Sequence, residues 1–374
     1  MGIHQGNATD SETPFFLAEL RKRIFTSVYG HDKILATFLG RPPRLSHRYC
    51  KMEMPLDLSD DQLFNSGTGP EQDAIVASLD ANGWNTSGQL SSTTWGRVWF
   101  QHCCIREDIL EIALGTGDED ITSRANQVRA RLNALHTSFP GFMKASPETI
   151  LDFQSDSTDQ AQYFGFNFSG DNPPKLLNAI FTVCIHAGIL HTEFLLQRAL
   201  INRVKTDTAQ LIPVSRRLLA LVLLATSKKD FFRDCDMVYL LSVHGLPSAG
   251  VLAIELLRQE QSQNYNSELL PRSQTIQDLS VFISALSTVG PEEGNHGICN
   301  QGRRALKRVL DQILSPAPRP PPHATATNAE QPVFDDVNFQ FPTGNDADFL
   351  QWLENVEWDK WGLVGSQPQP ETTA

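Results

Sequence analysis

From Thr13 to Leu56 the chain reads TPFFLAELRKRIFTSVYGHDKILATFLGRPPRLSHRYCKMEMPL, in which Leu17, Leu20, Ile24, Val28, His31, Leu35 and Phe38 recur at three- and four-residue steps. That period predicts one long amphipathic helix with this stripe as its apolar face. Thr13 suits the cap and Pro14 the first position; at the far end Gly40 can take the left-handed backbone that closes a helix, and Pro42-Pro43 forbids continuation. Opposite the stripe stand Glu19, Arg21, Lys22, Arg23 and Asp32, with Glu19 and Arg23 one turn apart in the favourable order, as a solvated charged face would have.

Beyond this helix, Met52 to Asp61 reads as an extended strip ending in acidic turn residues, and Asn65 to Pro70 as a glycine-rich loop. The loop lacks the lysine and hydroxyl of a phosphate cradle. Helical periods return at Pro70–Leu79, at Thr93–Leu114 through Trp95, Val98, Trp99, Cys103, Ile109 and Leu110, and at Asp118–Ser138 through Ile121, Ala125, Val128, Leu132 and Leu135. Residues 139–172, rich in proline, glycine, serine and phenylalanine, read as a long connection. Pro173-Pro174 then opens a helix that is apolar over most of its circumference, as a central buried helix is, and Pro213 starts another, RRLLALVLLAT. Asp234–Val243 and Ser248–Arg258 flank a predicted break at His244-Gly245-Leu246-Pro247, a tight corner with Pro247 setting the turn and Gly250 allowing close packing. RRALKRVLDQIL supplies a last helix. The fold class is all-α: a large multi-helix domain of packed antiparallel helices over residues 1–314.

At Ser315 the pattern stops. SPAPRPPPHATATNAEQP, residues 315–332, can form neither helix nor ladder and reads as a stiff linker, and residues 333–374 follow as a disordered acidic tail. Residues 328–374 hold nine acids and one base, Lys360, a net of −8; the whole chain carries −12, so −4 is left for the rest. Within the tail, DADFLQWLENVEWDKW places Phe349, Trp352, Leu353 and Val356 on one helical face, with Leu350, Trp358 and Trp361 nearby and acids between them. Such a segment can enter an apolar groove on a partner, or dock on its own domain as a last packed element; both require the same pattern.

Charge and composition narrow the chemistry. With 40% hydrophobic and 20% charged residues, the 374-residue chain can bury a sizeable core. Its net charge offers no attraction to a phosphate backbone or an anionic membrane, and no run of about eighteen apolar residues marks a span. The six cysteines, Cys50, Cys103, Cys104, Cys184, Cys235 and Cys299, include no Cys-x-x-Cys pair, so they cannot form a compact zinc cluster and read as small apolar residues or inert thiols. His186 and His191 near Cys184 would point in different directions on a helix, which argues against a metal site. No Gly-x-Ser-x-Gly, His-Glu-x-x-His or glycine-rich strand-to-helix motif is present, and the acid pairs Asp60/Asp61 and Asp335/Asp336 stand in loops or tail; a non-enzyme is expected.

Glu19-x-Arg21-Lys22-Arg23-x-Phe25, then Asp32, then Gly40-Arg41-Pro42 resembles the signature of the fungal-specific transcription factor domain. This is the middle homology region that accompanies binuclear zinc-cluster DNA-binding modules. Thr26 stands where the family often has tryptophan. Two further blocks are similar to the same regulators: YLLSVHGLPSAGVLAIELLRQ, with its Gly-Leu-Pro-x-Ala-Gly phrase, and Glu293-Gly294-Asn295-His296-Gly297-Ile298-Cys299. The resemblance implies a nuclear regulator of genes read by RNA polymerase II, with the chain starting inside the domain. It implies Glu19, Arg21, Arg23, Asp32 and Arg41 as a charged cluster organising the fold or an interface. Zinc and DNA contact belong to a module this chain lacks, and no cofactor is implied here. The tail would meet the transcription machinery or a co-activator, homo- or heterodimers and a small-molecule effector are compatible with the family, and no membrane is implied. A regulator without its own DNA-binding module, working through a full-length relative, and a truncated piece of an ordinary factor share this fold.

Overall fold

Helices fold this chain by laying seven of their number side by side, each buried on its neighbours. The computed structural model describes residues 13–51, 53–65, 67, 69–116, 120–147, 174–228 and 237–315. Among them are ten α-helices and no strand, one isolated bridge joining Leu79 and Asn85. They are α1 (Phe15–Leu39), α2 (Asp60–Phe64), α3 (Pro70–Ala77), α4 (Ser92–Leu114), α5 (Ile121–Ser138), α6 (Pro174–Val204), α7 (Leu211–Ser227), α8 (Met237–Ser262), α9 (Arg272–Leu286) and α10 (His296–Leu314). Side by side run α1, α4, α6, α7, α8, α10 and α9, with α5 against α4 and α6.

Local sequence sets the ends. Gly40 closes α1 at φ 59°, its N–H bonding back to the carbonyls of Ala36 and Thr37. Pro14 occupies the cap position itself and Thr13 lies one residue outside it, one step from the predicted start. Ser59 and Gln62 form a reciprocal capping box for α2, and Ser91 and Thr94 do the same for α4. The short helix α2 replaces the end of the strip predicted to finish in a turn at Asp61; Ser-x-x-Gln was the signal for it. Helix α9 was not predicted, although Ile276, Leu279, Phe282 and Leu286 are helically spaced.

The predicted corner at His244–Pro247 does not exist. Helix α8 runs straight through it, with a π-helical turn at Leu240–Gly245. Proline removes a backbone donor, and the wider turn accommodates that: the N–H of Leu246 reaches the carbonyl of Leu241, while Ser248 Oγ bonds the carbonyls of His244 and Gly245 at 2.5 and 3.0 Å. The phrase is a packing device. A Cβ on Gly245 would stand 2.4 Å from the Phe282 ring of α9, and one on Gly302 of α10 would stand 2.3 Å from the Leu246 side chain. Gly245 and Gly302 are thus close-packing glycines of this region. Asn295, from the block ahead of α10, donates to Ser242 Oγ at 3.1 Å, so the two blocks lock together in the main core.

By length and composition, residues 178–204 of α6 and all of α8 could cross a membrane, but they are interior helices here, with 61% and 78% of their apolar windows buried. Leu196, Phe194, Ile185, Val183 and Ala187 of α6 enter four separate apolar clusters, as a central helix requires.

Candidate functional site

Helix α1 turns a mixed face inward, charged residues and aromatic rings together. Ile24, Val28 and Leu35 of the predicted apolar face are 48, 53 and 58% exposed, and the buried positions are Glu19, Phe25, Thr26, Tyr29, Gly30, Lys33 and Ala36. The prediction of the core face was therefore inverted. The inward face is mixed: Phe25, Tyr29 and Gly30 pack on Trp99, Phe100 and Cys103 of α4, while Glu19, Arg23, Asp32 and Lys33 meet the backbone of two extended stretches, residues 41–46 and 53–59, whose polar groups need charged partners more than apolar cover.

Glu19 receives Lys22 at 2.8 Å and the backbone N–H of Leu56 at 2.7 Å. Arg23 donates to Asp60 and to the carbonyl of Leu58, both at 2.6 Å. Asp32 accepts the N–H groups of Arg44 and Leu45 at 3.0 and 2.9 Å, fastening the chain that leaves Gly40-Arg41-Pro42. Burial alone would raise the Asp32 carboxyl, but the Leu45 N–H, Lys33 and the Arg44 N–H outweigh it and hold its pKa below the usual range.

Lys33 and Glu107 of α4 form the centre. Lys33 is 0% exposed; its ammonium lies 2.9 Å from Asp32, 3.5 Å from Glu107 and 3.8 Å from the centroid of the Tyr29 ring, and it donates to the carbonyl of Leu45. Glu107 accepts the Tyr29 hydroxyl and the His47 N–H, and His47 Nδ1 lies 3.3 Å away. Desolvation pushes Glu107 up, yet bonds from His47, Ser46 and Tyr29 win and bring its pKa to about 2. Beside them Arg97 of α4 donates to the carbonyls of Pro55 and Asn82 and lies 4.1 Å from the Trp84 ring, while Thr94 binds Asp57 at 2.7 Å. The carboxylates of Glu19, Asp32 and Glu107 and the Lys33 ammonium are met by the protein itself, while Arg23 Nε and Arg97 Nε have no hydrogen-bond partner among the described residues. This arrangement can clamp two extended stretches between α1 and α4; it exposes no reacting group.

The structure thus brings Glu19, Arg23, Phe25 and Asp32 to the inner side and uses Gly40 as the cap. Arg21, Arg41 and Pro42 are not gathered there: Arg41 and Pro42 are exposed, Arg21 is half-buried, and neither arginine makes an ion pair among the described residues. Arg41→Ala should accordingly leave the melting temperature within a degree or so of wild type, as surface changes away from caps and networks do. A fall of more than about 5 °C in a circular-dichroism melt would mean that Arg41 is anchored after all. Lys33, Tyr29 and Glu107 were missed by sequence reading. Lys33 was the one signal, a lysine directly behind Asp32.

Next to the Pro42-Pro43 exit lies a groove of about 590 Å³ lined by Pro42, Pro43, Leu110, Leu114, Arg48 and Arg124, with Glu111 held by Arg48 at 2.5 Å and by Arg124 at 3.1 Å. The thiols are quiet: burial lifts Cys103 to about 12 and Cys104 and Cys299 to about 11, leaving them protonated near neutrality. Deeper in the fold, His191 of α6 and His244 of the π-turn meet edge to face with ring centroids 4.7 Å apart; both are kept neutral, chiefly by burial. His186 points elsewhere, to the carbonyl of Ala145 at 3.0 Å. The candidate activation residues Phe349, Trp352, Leu353, Val356, Trp358 and Trp361 lie outside the described residues.

Residues 1–104 match the family model of the fungal specific transcription factor domain. The matched stretch contains α1, both extended stretches and the first half of α4, so it holds all of the clamp except Glu107. The fungal specific transcription factor domain match ends at residue 104, and the Gly-Leu-Pro and Asn295 blocks lie beyond it. No curated protein and no solved structure matches the chain.

Proposed function

We propose that this chain is the regulatory and activating portion of a nuclear fungal transcription regulator of the zinc-cluster type, acting on genes read by RNA polymerase II. The family match over residues 1–104 carries this reading. The helical domain over residues 13–315 serves as a scaffold; its charged groups are consumed by internal bonds, which supports a binding role over chemistry. Contact with DNA, and the zinc that organises it, belong to a module outside these 374 residues. Residues 333–374 are the activation segment: acids hold Phe349, Trp352, Leu353 and Val356 in water until an apolar groove of a co-activator takes them up.

Fusing residues 328–374 to an unrelated DNA-binding module should activate a reporter in yeast, and Trp352→Ala or Leu353→Ala should abolish that activity. A silent wild-type fusion, expressed at the level of an active control, would remove the activation reading.

A further inference from the structure

Helix α1 presents to solvent a stripe that no other described residue covers. Ile24, Val28, Leu35 and Leu39 are 48, 53, 58 and 47% exposed, and Leu17 and Leu20 continue the stripe half-buried. One exposed leucine needs no explanation; an aligned series along a 25-residue helix is a contact surface.

We propose that this stripe is the docking surface for the chain's own acidic segment, residues 346–361. Charge selects the occupant. The stripe carries Arg21 and His31 and no acid, and exposed Arg41 and Arg44 follow at its end; the side chains of Arg21, Arg41 and Arg44 make no ion pair among the described residues. Of the acids near it, Glu19 and Glu53 are taken by Lys22, Asp32 by Lys33 and Asp60 by Arg23. A second copy of α1 would bring arginine to arginine. Residues 346–361 bring Phe349, Trp352, Leu353 and Val356 at helical spacing together with Asp346, Asp348, Glu354, Glu357 and Asp359, apolar groups for the stripe and acids for its arginines.

Length permits the contact. Residues 316–345 separate the end of the described domain from the segment and reach about 90 Å as polyproline II, against a radius of gyration of about 19 Å for a domain of this size. Tethering gives the segment an effective concentration of about 1 mM, so a contact of only modest intrinsic affinity stays closed.

The test uses the full chain with Phe349→p-benzoylphenylalanine, irradiated at low concentration. The expected product is an adduct at monomer mass whose tryptic map joins the tail to Ile24–Lys33 or Ile34–Arg44. Ile24→Glu with Val28→Glu should cut its yield about tenfold or more, the tethered concentration being lost with the contact, while the circular-dichroism melt is unchanged. Trp352→Ala with Leu353→Ala, placed outside the helical domain, should do the same. No adduct, or one mapping elsewhere on the domain, overturns the proposal. An adduct at dimer mass overturns it as well and assigns the stripe to a second copy. The contact is independent of the activation reading, since a silent reporter fusion leaves this cross-link untouched.

Discussion

Replacing Lys33 by methionine will destabilise the full chain by about 3–5 kcal/mol, lowering its melting temperature by about 10 °C. Methionine fits the space of the lysine stem but removes the charge. Asp32 and Glu107 then face one another without their common cation, and the Leu45 carbonyl loses its donor. Glu107, 1% exposed, cannot recover hydration, and Asp32, with its side chain 14% exposed, recovers only part of it. The pair also offers an internal control. Glu107→Gln alone leaves Lys33 with Asp32 only, whereas Lys33→Met with Glu107→Gln removes both charges and should cost less than the sum of the two single changes, by about 1–3 kcal/mol. Urea unfolding of the four proteins would measure this, and additivity within about 0.5 kcal/mol would show that the two groups do not interact.

Acid will weaken the fold well above the range in which carboxylates titrate. His102 and His244 have pKa values lowered from 6.5 to about 3, His191 is driven well below 6.5, and His136, 3.2 Å from His102, is lowered to about 4. Burial is the first cause in each. His186 adds to the shift of His136, and Arg106 to those of His102, His191 and His244. A histidine that the folded state keeps neutral takes up its proton only on unfolding, so stability is full above pH 6.5 and declines as the pH falls toward the folded values. Between pH 7.5 and 5 each of the three fully buried rings should cost about 2 kcal/mol, about 6 kcal/mol together. Below pH 4.5 Glu107 adds a loss of the same sign, because its folded pKa of about 2 lies beneath its unfolded value. Circular-dichroism melts at half-unit steps should decline steadily from pH 7 to 5. A flat line there would mean that these rings are hydrated in solution.

How far could the sequence be read? Helix positions were legible wherever apolar residues recur inside long elements: α4, α5 and the start of α6 lie within a few residues of their predicted bounds, and α10 ends where predicted but begins seven residues earlier, at His296. Helix α1 was legible in length but not in orientation. Periodicity reports which residues share a face, and the assumption that the apolar face is inside failed because Glu19, Arg23, Asp32 and Lys33 are satisfied by groups distant in sequence. Pro247 was read as a corner because the π-turn that absorbs it leaves no composition signal. Glycine spacing could not tell which glycine touches an aromatic ring; Gly245 does so only because α9, itself unrecognised, brings Phe282 there. Of the signature, the inward acids and Arg23 gained partners in the fold, while Arg21 and Arg41 point to its outer surface.

The anchors of α1 have a consequence for how the chain is made. Glu19 waits for Leu56, 37 residues on, Arg23 for Leu58, 35 on, and Tyr29 for Glu107, 78 on. While α1 is being synthesised, none of these exists. A nascent chain holding only α1 has an apolar side and a charged side and, left to water, would turn the apolar side toward any available cover. Its final rotation is therefore decided late, when α4 emerges, and a chain interrupted before residue 107 should expose or misbury the wrong half of its first helix.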